Sequence, residues 1–442
     1  MKQKSYFLAS LGCAKNTVDS DSMAMLLERD GYLPAADPSH ARVLIVNTCG
    51  FIQTAREESL QVLGELAQNK LPGQLLVAAG CMTERYRELI AKEIKGIDGF
   101  IGTRRWMDIL DLVTSLRSKK ATVQYHLPES PTVGRDEKGI VRASIQGGSA
   151  YLKIADGCRR PCAFCAIPLI KGTTVSRPLE VILNEAEILQ DNGVKELILI
   201  AQDTTDYGYD LGMKDGLSTL LEKLLPRIPA IPWIRLLYSF PGYVTNRLID
   251  IMSSSPQILN YLDIPLQHAD PDILKKMNRP SDIDWVYKTI NKMRAALPGL
   301  AIRSTFIVGY PGETEKEFST LLKFIEEIQF DHVGAFTFSF EQGTSSEPFG
   351  DPVPEEEKQM RLSRLMKLQE SISLQRNQAL IGKQLEVLIE GTGDGISVGR
   401  SYRDAPEIDG LVIIDGELPI GEIQAVLVSG AMPHDLSAVI IK

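Results

Sequence analysis

Short apolar runs alternate with stretches of helical periodicity along the N-terminal part of the chain. The apolar runs, each as long as a buried strand, lie at 7–11, 43–46 and 75–79. Helical patterns cover 20–27 and 55–66, and another begins at Glu84. Such alternation is typical of a parallel sheet with helices packed on its faces. The pattern therefore predicts an N-terminal α/β domain built on a parallel sheet.

Six strand–helix units follow between about residues 151 and 340. The predicted strands lie at 151–155, 196–201, 233–238, 260–264, 302–308 and 333–338. Helical patterns separate them at 179–190, 217–225, 243–252, 285–297 and 315–328. Regular repetition of this kind indicates a TIM-like barrel, here with six units in place of eight. A barrel that lacks two units stays open on one side, which suits a macromolecular substrate.

The C-terminal part combines one long helix with short β-rich segments. Pro354 opens an amphipathic pattern with three glutamates, 355–357, in its first turn, as the helix dipole favours, and Gly382 is the expected stop. Five short segments beyond it predict a small β-barrel, at 385–389, 395–399, 410–414, 420–428 and 438–441.

The fold class expected is therefore α/β, with three domains and one linker. The predicted ranges are 1–120 for the parallel-sheet domain, 121–143 for the linker, 144–373 for the six-unit barrel and 374–442 for the small β-barrel. The length of 442 residues agrees, since domains average roughly 150 residues.

Composition and charge narrow the class of protein. No apolar run approaches the roughly 18 residues of a membrane helix, and the first residues do not form a convincing signal peptide. We therefore expect a cytoplasmic protein with no membrane partner. The net charge of −9 is opposite to that of most proteins that grip nucleic-acid phosphates. A dedicated nucleic-acid binder is less expected for that reason.

The six cysteines are too sparse for a disulfide scaffold, and they fall into two sets. Cys13, Cys49 and Cys81 each follow one of the first three predicted strands. The carboxyl ends of parallel strands meet at one edge of a sheet, where ligands bind. We therefore expect these three thiols to converge into a metal site.

The other set, Cys158, Cys162 and Cys165, forms a tight C-x3-C-x2-C cluster. Structural zinc is coordinated by four ligands, whereas residues 156–172 contain three cysteines and no histidine. Three thiolates can instead hold a 4Fe-4S cluster with one iron left open, as catalysis requires. The same argument applies to the dispersed set. The sequence thus predicts two 4Fe-4S clusters, each with a vacant coordination position.

The segment CRRPCAFC at 158–165 resembles the radical SAM motif, in which S-adenosylmethionine chelates the open iron through its amino and carboxylate groups. Barrel enzymes work at the carboxyl ends of their strands, and polar and glycine residues gather there in this sequence. The resemblance implies that cofactor contacts come from Phe164 near the adenine, from Gly309, Gly312 and Glu313 on the nucleoside side, and from Gln202, Gln267 and His268 facing the same cavity. His268 by itself fits a hydrogen-bonding role better than metal ligation.

The two cysteine sets together resemble the methylthiotransferases, and the segments 10–20 and 399–410 resemble their RimO branch. Asp21 departs slightly, since the family usually carries glutamate there. The resemblance implies that an aspartate of small-subunit ribosomal protein twelve receives a β-methylthio group, on the free protein or on the ribosomal particle. It also implies that the 158–165 cysteines serve reductive cleavage of S-adenosylmethionine, and that the dispersed cysteines hold an auxiliary cluster. A flavodoxin- or ferredoxin-like electron donor and a sulfur donor are expected partners.

A tRNA adenosine methylthiotransferase of the MiaB type has the same parts and is the alternative. The last domain resembles a TRAM module, which is usually associated with RNA. Residues 376–442, however, carry five Lys and Arg against ten Asp and Glu, so direct RNA binding is not favoured. An acidic surface would attract a basic partner instead. A non-catalytic RNA-binding metal module would show filled four-ligand sites, and an electron carrier would need no barrel of this size.

Overall fold

The computed structural model describes residues 4–118, 123–135 and 138–441. The chain divides into two compact units. The first unit comprises residues up to 144 together with 151–160 and 165–177, and the second comprises 145–150, 161–164 and the chain from 178 onward. The predicted boundary between residues 120 and 121 lies outside the described residues. The other predicted boundaries stay predictions.

The first unit begins with alternating strands and helices. Its helices are α1 (Ala14–Arg29), α2 (Gln53–Gln68), α3 (Cys81–Glu93), α4 (Ile109–Ser118) and α5 (Ile167–Lys171). Its strands are β1 (Ser5–Ser10), β2 (Leu33–Pro34), β3 (Val43–Thr48), β4 (Leu75–Gly80), β5 (Gly99–Gly102), β6 (Gln124–His126), β9 (Ala155–Asp156) and β10 (Val175–Ser176), while β7 (Ala143–Gln146) and β8 (Ser149–Lys153) run across the unit boundary in sequence.

A six-stranded parallel sheet organises the first unit, in the order β2-β1-β3-β4-β5-β6. Alternate residues of β3 point to opposite faces, as strand geometry requires. Val43 and Ile45 pack in a core with residues of α1 and α4, and Leu44 and Val46 pack in a second core with residues of α2 and α3. Both faces of the sheet are therefore covered, and the predicted parallel-sheet α/β domain is confirmed.

The second unit continues the strand–helix alternation. Its helices are α6 (Leu179–Asp191), α7 (Gly216–Leu224), α8 (Asn246–Ser254), α9 (Pro271–Lys276), α10 (Ile283–Ala296), α11 (Glu315–Ile328) and α12 (Glu355–Gln378). Its strands are β11 (Glu196–Ile200), β12 (Trp233–Leu236), β13 (Tyr261–Asp263), β14 (Ala301–Val308), β15 (His332–Thr337), β16 (Gln384–Gly393), β17 (Ile396–Ser401), β18 (Val412–Asp415), β19 (Ile423–Ala431) and β20 (Leu436–Ile440).

Parallel pairing joins β11 to β12, and it joins β13, β14 and β15 in a separate sheet. An isolated parallel bridge from Ile234 of β12 to Ile258 links the first sheet to the segment that precedes β13. The backbone carbonyl of Gly148 accepts hydrogen bonds from the N–H groups of Lys195 and Glu196, at 2.8 and 3.1 Å. These bonds extend the row of neighbouring strands beyond β11. These pairings agree with the predicted open βα barrel.

The last five strands close into a barrel in the order β16-β17-β18-β20-β19, as predicted. The segment 399–410, here called the junction segment, joins this small barrel to the parallel strands of the same unit. Arg400 Nη2 contacts Glu196 Oε2 at 2.6 Å, and Tyr261 donates its hydroxyl hydrogen to Asp409 Oδ2 at 2.7 Å. In the described part of the chain, no helix combines the length and apolar character that a membrane crossing requires.

Candidate functional site

The three dispersed cysteines lie at the carboxyl ends of neighbouring strands. Cys13 precedes the first turn of α1 after β1, Cys49 follows β3, and Cys81 is the first residue of α3 after β4. Because β1, β3 and β4 are adjacent and parallel, their carboxyl ends share one edge of the sheet. The predicted placement of these thiols at a common edge is what the structure shows.

Glycines allow the cysteine loops to approach one another closely. A Cβ atom at Gly12 would lie 2.8 Å from Cys49 Cβ and 3.0 Å from its sulfur, and Gly12 has φ of +95°. A Cβ atom at Gly50 would lie 2.7 Å from Met82 Cα. Any larger residue would force these loops apart. The spacing of the cysteine loops therefore depends on glycine at both positions.

The three thiols differ in how readily they ionise. Burial raises the pKa of Cys81 to about 12, with Cys13 and Cys49 adding to the rise and Lys171 opposing it. Burial also raises the pKa of Cys49. Desolvation opposes ionisation of Cys13 too, yet Lys15, Lys171 and the N–H of Asn16 together lower its pKa below the ordinary value. Cys13 is therefore the thiol that ionises first.

This donor set suits an iron–sulfur cluster. Within residues 4–118, 123–135 and 138–441, no three His, Cys, Asp or Glu side chains stand ready in the geometry of metal ligands. The thiols at the sheet edge are nevertheless soft donors, which Fe–S clusters take as thiolates. Lys15 and Lys171 act on Cys13 and so favour the thiolate form. The residues present fit a cluster bound through three thiolates.

Cys158 and Cys165 belong to the first unit, and Cys162 belongs to the second. The Cys158 sulfur accepts a hydrogen bond from the N–H of Arg160 at 3.5 Å. The Cys162 sulfur lies 3.6 Å from Arg279 Nη1. Both contacts bring hydrogen-bond donors to the sulfurs, a kind of contact that tunes Fe–S clusters. Arg279 is buried and was missed by the sequence analysis, because it lies 117 positions from Cys162 in the chain.

Phe164 and Gly309 occupy defined places in the second unit. Phe164 packs against an apolar cluster that contains Met277, Tyr310 and Phe338. Gly309 has φ of +74°, and a Cβ atom there would lie 2.4 Å from Lys358 Cγ. The turn after β14 therefore requires glycine at this position. Contact of either residue with S-adenosylmethionine stays a prediction.

His268 and Glu313 are held against each other. His268 Nδ1 accepts the N–H of Asp270 at 2.9 Å, so the ring hydrogen sits on Nε2, which donates to Glu313 Oε2 at 3.2 Å. Glu313 Oε1 accepts from Gly309 N–H at 3.0 Å and from Arg361 Nη1 at 2.8 Å. Both side chains thus fix the loops after β13 and β14. A hydrogen-bonding role for His268 agrees with this arrangement.

Gln202, Ser239 and Gln267 present polar atoms that lack a partner. The two glutamine Oε1 atoms and the serine Oγ are buried, and none makes a hydrogen bond within the described residues. Gln267 and Tyr238 also have φ of +75° and +61°, which non-glycine residues adopt only under strain. Strain and orphaned polar atoms at strand ends are typical of ligand sites. They fit a polar cofactor such as S-adenosylmethionine.

Comparison with known proteins extends this description to the whole chain. Residues 152–325 match the family model of the Radical SAM superfamily, residues 5–102 match that of the Uncharacterized protein family UPF0004, and residues 381–441 match that of the TRAM domain. Two curated relatives, from Roseiflexus sp. and Chloroflexus aurantiacus, each carry the name ribosomal protein uS12 methylthiotransferase RimO. They are 45% and 46% identical to this chain, cover 98% of it, and are themselves covered to 96% and 98%.

The chain belongs to the RimO family of ribosomal protein uS12 methylthiotransferases. The RimO proteins are radical SAM transferases, so the predicted family, fold class and enzyme class are confirmed, and the RimO branch is favoured over the tRNA-modifying alternative. Membership of the radical SAM superfamily implies a 4Fe-4S cluster and S-adenosylmethionine.

A solved structure of a related fold supports the fold of this chain. The radical S-adenosylmethionine methyltransferase TsrM from Kitasatospora setae, with cobalamin and a 4Fe-4S cluster bound, aligns with a TM-score of 0.58. The alignment covers 90% of this chain and 80% of TsrM at 13% sequence identity. At that identity the likeness concerns the fold alone.

Proposed function

We propose that this enzyme adds a methylthio group to the β-carbon of one aspartate of ribosomal protein uS12. The observation that carries the proposal is the full-length similarity to RimO relatives, at 45% identity over 98% of the chain. The open βα barrel of the second unit supports it, since a polypeptide substrate needs a wide approach. The ribosomal particle that contains uS12 is the other form in which the substrate could be met.

Each predicted site residue has a role in this proposal. Cys158, Cys162 and Cys165 hold the radical SAM cluster, and the strand-end residues described above contact S-adenosylmethionine. When bound, these cofactors supply the 5′-deoxyadenosyl radical that removes hydrogen from an unactivated carbon, which no side-chain base could deprotonate. Arg279 and the N–H of Arg160 donate hydrogen bonds to the sulfurs of Cys162 and Cys158, at 3.6 and 3.5 Å.

Cys13, Cys49 and Cys81 hold an auxiliary 4Fe-4S cluster in the same proposal, and that cluster would present the sulfur that is methylated. Their shared sheet edge and the close approach of their loops support this assignment. A flavodoxin- or ferredoxin-like protein supplies electrons, and a separate donor supplies sulfur. A ribosomal substrate sets the reaction in the cytoplasm. We also propose the sequence-based domain ranges 1–120, 121–143, 144–373 and 374–442.

The small barrel supports a basic protein substrate over RNA. Arg400 and Arg403 are buried and paired with Glu196 and Asp331, at 2.6 and 2.9 Å. These two cations therefore do not contribute to the surface. Acidic residues of the same domain are exposed, at positions 386, 394, 415, 417 and 422. Such a surface attracts a basic polypeptide and repels phosphates.

A side-by-side assay tests the proposal. Anaerobic enzyme with reconstituted clusters, dithionite and S-adenosylmethionine is offered uS12 and tRNA in separate reactions, and both are analysed by mass spectrometry. We expect a methylthio adduct on uS12 at one aspartate, and none when a uS12 variant has asparagine at that position. The variant Cys49→Ala should give no adduct while still cleaving S-adenosylmethionine. An adduct on tRNA alone would contradict the proposal and would favour the MiaB-type activity.

A further inference from the structure

An open cavity of about 530 Å³ lies in the second unit, at the amino ends of the parallel strands. Trp233, the first residue of β12, and Asn260, the residue before β13, line it from the parallel strands. Leu385 of β16 and Tyr402 of the junction segment line it from the small barrel. This space is here called the amino-end cavity. It is distinct from the candidate functional site, because that site lies at the carboxyl ends of the strands.

Two helices end at the amino-end cavity. Both α8 and α10 stop there, and Pro256 and Pro298, which line the cavity, follow their last turns. The carbonyl groups four residues before these prolines, those of Met252 and Arg294, cannot receive the usual helical hydrogen bond, because proline has no N–H. The last carbonyls of a helix also carry the partial negative charge of its dipole. Two such ends therefore favour a cation in this space.

The side chains that line the amino-end cavity have the same preference. Glu386 of β16 is exposed and makes no ion pair within the described part of the chain. The aromatic residues Trp233 and Tyr402 line the same space, and the faces of aromatic rings attract cations. Tyr402 is held in place, because its hydroxyl donates a hydrogen bond to the carbonyl of Gly299 at 2.8 Å. The lining residues, all of which the structure describes, include no lysine, arginine or histidine.

We propose that the amino-end cavity is a docking site for a cationic side chain, a lysine or an arginine, of the polypeptide substrate. The inference rests on the proposed function, in which the substrate is a basic ribosomal protein. The carboxylate of Glu386, the two helix ends and the two aromatic residues together supply the contacts that such a side chain makes. The volume is in the range of sites that hold a small ligand, so one long side chain fits.

The distance between the two ends of the strands decides which substrates can use this site. The strands β12 and β14 have four and eight residues, so the cavity and the reacting end lie about 13 to 26 Å apart along the strands. A folded domain of about 100 residues has a radius of gyration near 13 Å and can reach both. A short peptide bound at the reacting end cannot. The site therefore acts on the binding of the whole protein and not on the chemical step.

The test uses holoenzyme with reconstituted clusters and measures kcat and KM for methylthiolation of two substrates, full-length uS12 and a short peptide that contains the target aspartate. Glu386→Lys reverses the charge at the cavity. Glu370→Lys is the matched control, because Glu370 is an exposed glutamate of α12 that does not line the cavity. Ser253→Arg places a cation of the enzyme itself at the lining, and Ser253→Ala is its control.

Glu386→Lys should raise the KM for uS12 about fivefold to tenfold, since an exposed ion pair is lost and a repulsion of similar size replaces it. The effect should be confined to that KM, with kcat and the KM for the peptide at the parent values. Ser253→Arg should raise the KM for uS12 in the same way, which keeps the proposal testable where Glu386→Lys does not fold. Glu370→Lys and Ser253→Ala should each change it less than twofold.

Equal KM values for uS12 in the parent, Glu386→Lys and Ser253→Arg enzymes would overturn the inference. Calorimetric binding of spermidine that Glu386→Lys abolishes would then assign the cavity to a free polyamine. An equal rise of KM for uS12 and for the peptide would also overturn it, because the effect would then lie at the reacting end. A parent enzyme that modifies neither substrate would instead refute the proposed function, and this outcome is separate because the others require an active parent.

Discussion

Replacing Glu196 with glutamine removes the carboxylate that joins the junction segment to the parallel strands of the second unit. Glu196 is fully buried, and its oxygens accept from Arg235 Nε at 2.6 Å, from Arg400 Nη2 at 2.6 Å and from the Ser149 hydroxyl at 2.8 Å. Glutamine fills the same volume but removes the carboxylate that pairs with Arg235, while Arg400 keeps its pair with Glu390. The change therefore tests electrostatics rather than packing.

The size of this electrostatic contribution to folding follows from the pKa of Glu196. Burial alone would raise this pKa, but Arg235 and Arg400 lower it from 4.5 to about 2. At 1.36 kcal/mol for each pKa unit, the ionised carboxylate contributes about 3 kcal/mol to folding at pH 7. Because the folded-state pKa lies below the unfolded one, the contribution is complete above pH 4.5 and falls as the pH drops toward 2. At pH 3 less than half of this contribution remains.

Equilibrium urea unfolding of the cluster-free chain, followed by circular dichroism, measures this contribution. We expect Glu196→Gln to lower the free energy of unfolding by about 3 kcal/mol at pH 7, in the range for breaking a buried ion pair, and by less at pH 3. Glu187→Gln is the matched control, because Glu187 also pairs with an arginine, Arg227, but at the surface. Exposed pairs contribute about 0–1 kcal/mol. A loss below 1 kcal/mol for Glu196→Gln, or one independent of pH, would refute the reasoning.

Three further predictions concern the sites themselves. In the cluster-free protein at pH 7.5, iodoacetamide should alkylate Cys13 before Cys81, as mass spectrometry of timed samples would show. Equal alkylation rates for the two thiols in the folded chain would contradict the pKa order, and the urea-unfolded chain is the control. Gly12→Ala should lower the amount of iron bound by the auxiliary site, because the added Cβ would clash with Cys49. Normal iron content would show that the loop that carries Cys49 can shift enough to avoid the clash. Gln267→Gly should raise the free energy of unfolding by about 1 kcal/mol, because glycine adopts the positive φ of this position without strain. The same variant should bind S-adenosylmethionine more weakly in equilibrium dialysis. Unchanged binding would exclude Gln267 from the cofactor site.

Hydrophobic periodicity predicted most of the elements, and two of the differences trace to helix caps. The helix predicted at 243–252 begins at Asn246, because the Thr245 side chain accepts the N–H of Leu248 and fixes the start. The short helix α9 was missed. Asp270 followed by Pro271 is a cap signal that could have located it, but only six residues separate that cap from the helix end. Caps act locally and leave no trace in the apolar pattern.

The candidate site likewise has a part that could be predicted from the sequence and a part that could not. The position of Cys13, Cys49 and Cys81 at one sheet edge could be predicted, because each cysteine follows its strand in sequence. The partners of Lys171 could not, since Asp19 lies 152 positions away in the chain. Pairing over such distances is decided by how β9 and α5 meet α1. The apolar pattern reports burial of a strand or helix face and carries no information on which charges meet across it.

The junction segment shows that a charge count from the sequence does not separate the exposed charges of the small barrel from the buried ones. Its sequence carries two arginines, which a count from the sequence treats as surface cations. Both are buried: Arg400 contacts Glu196 and also Glu390 of the small barrel, and Arg403 contacts Asp331. The side chains of Asp404 and Asp409 in the same segment are buried as well, so the surface of the barrel keeps the acidic balance that the count from the sequence indicates. A basic ribosomal protein is attracted by that surface, and the phosphates of an RNA are repelled by it.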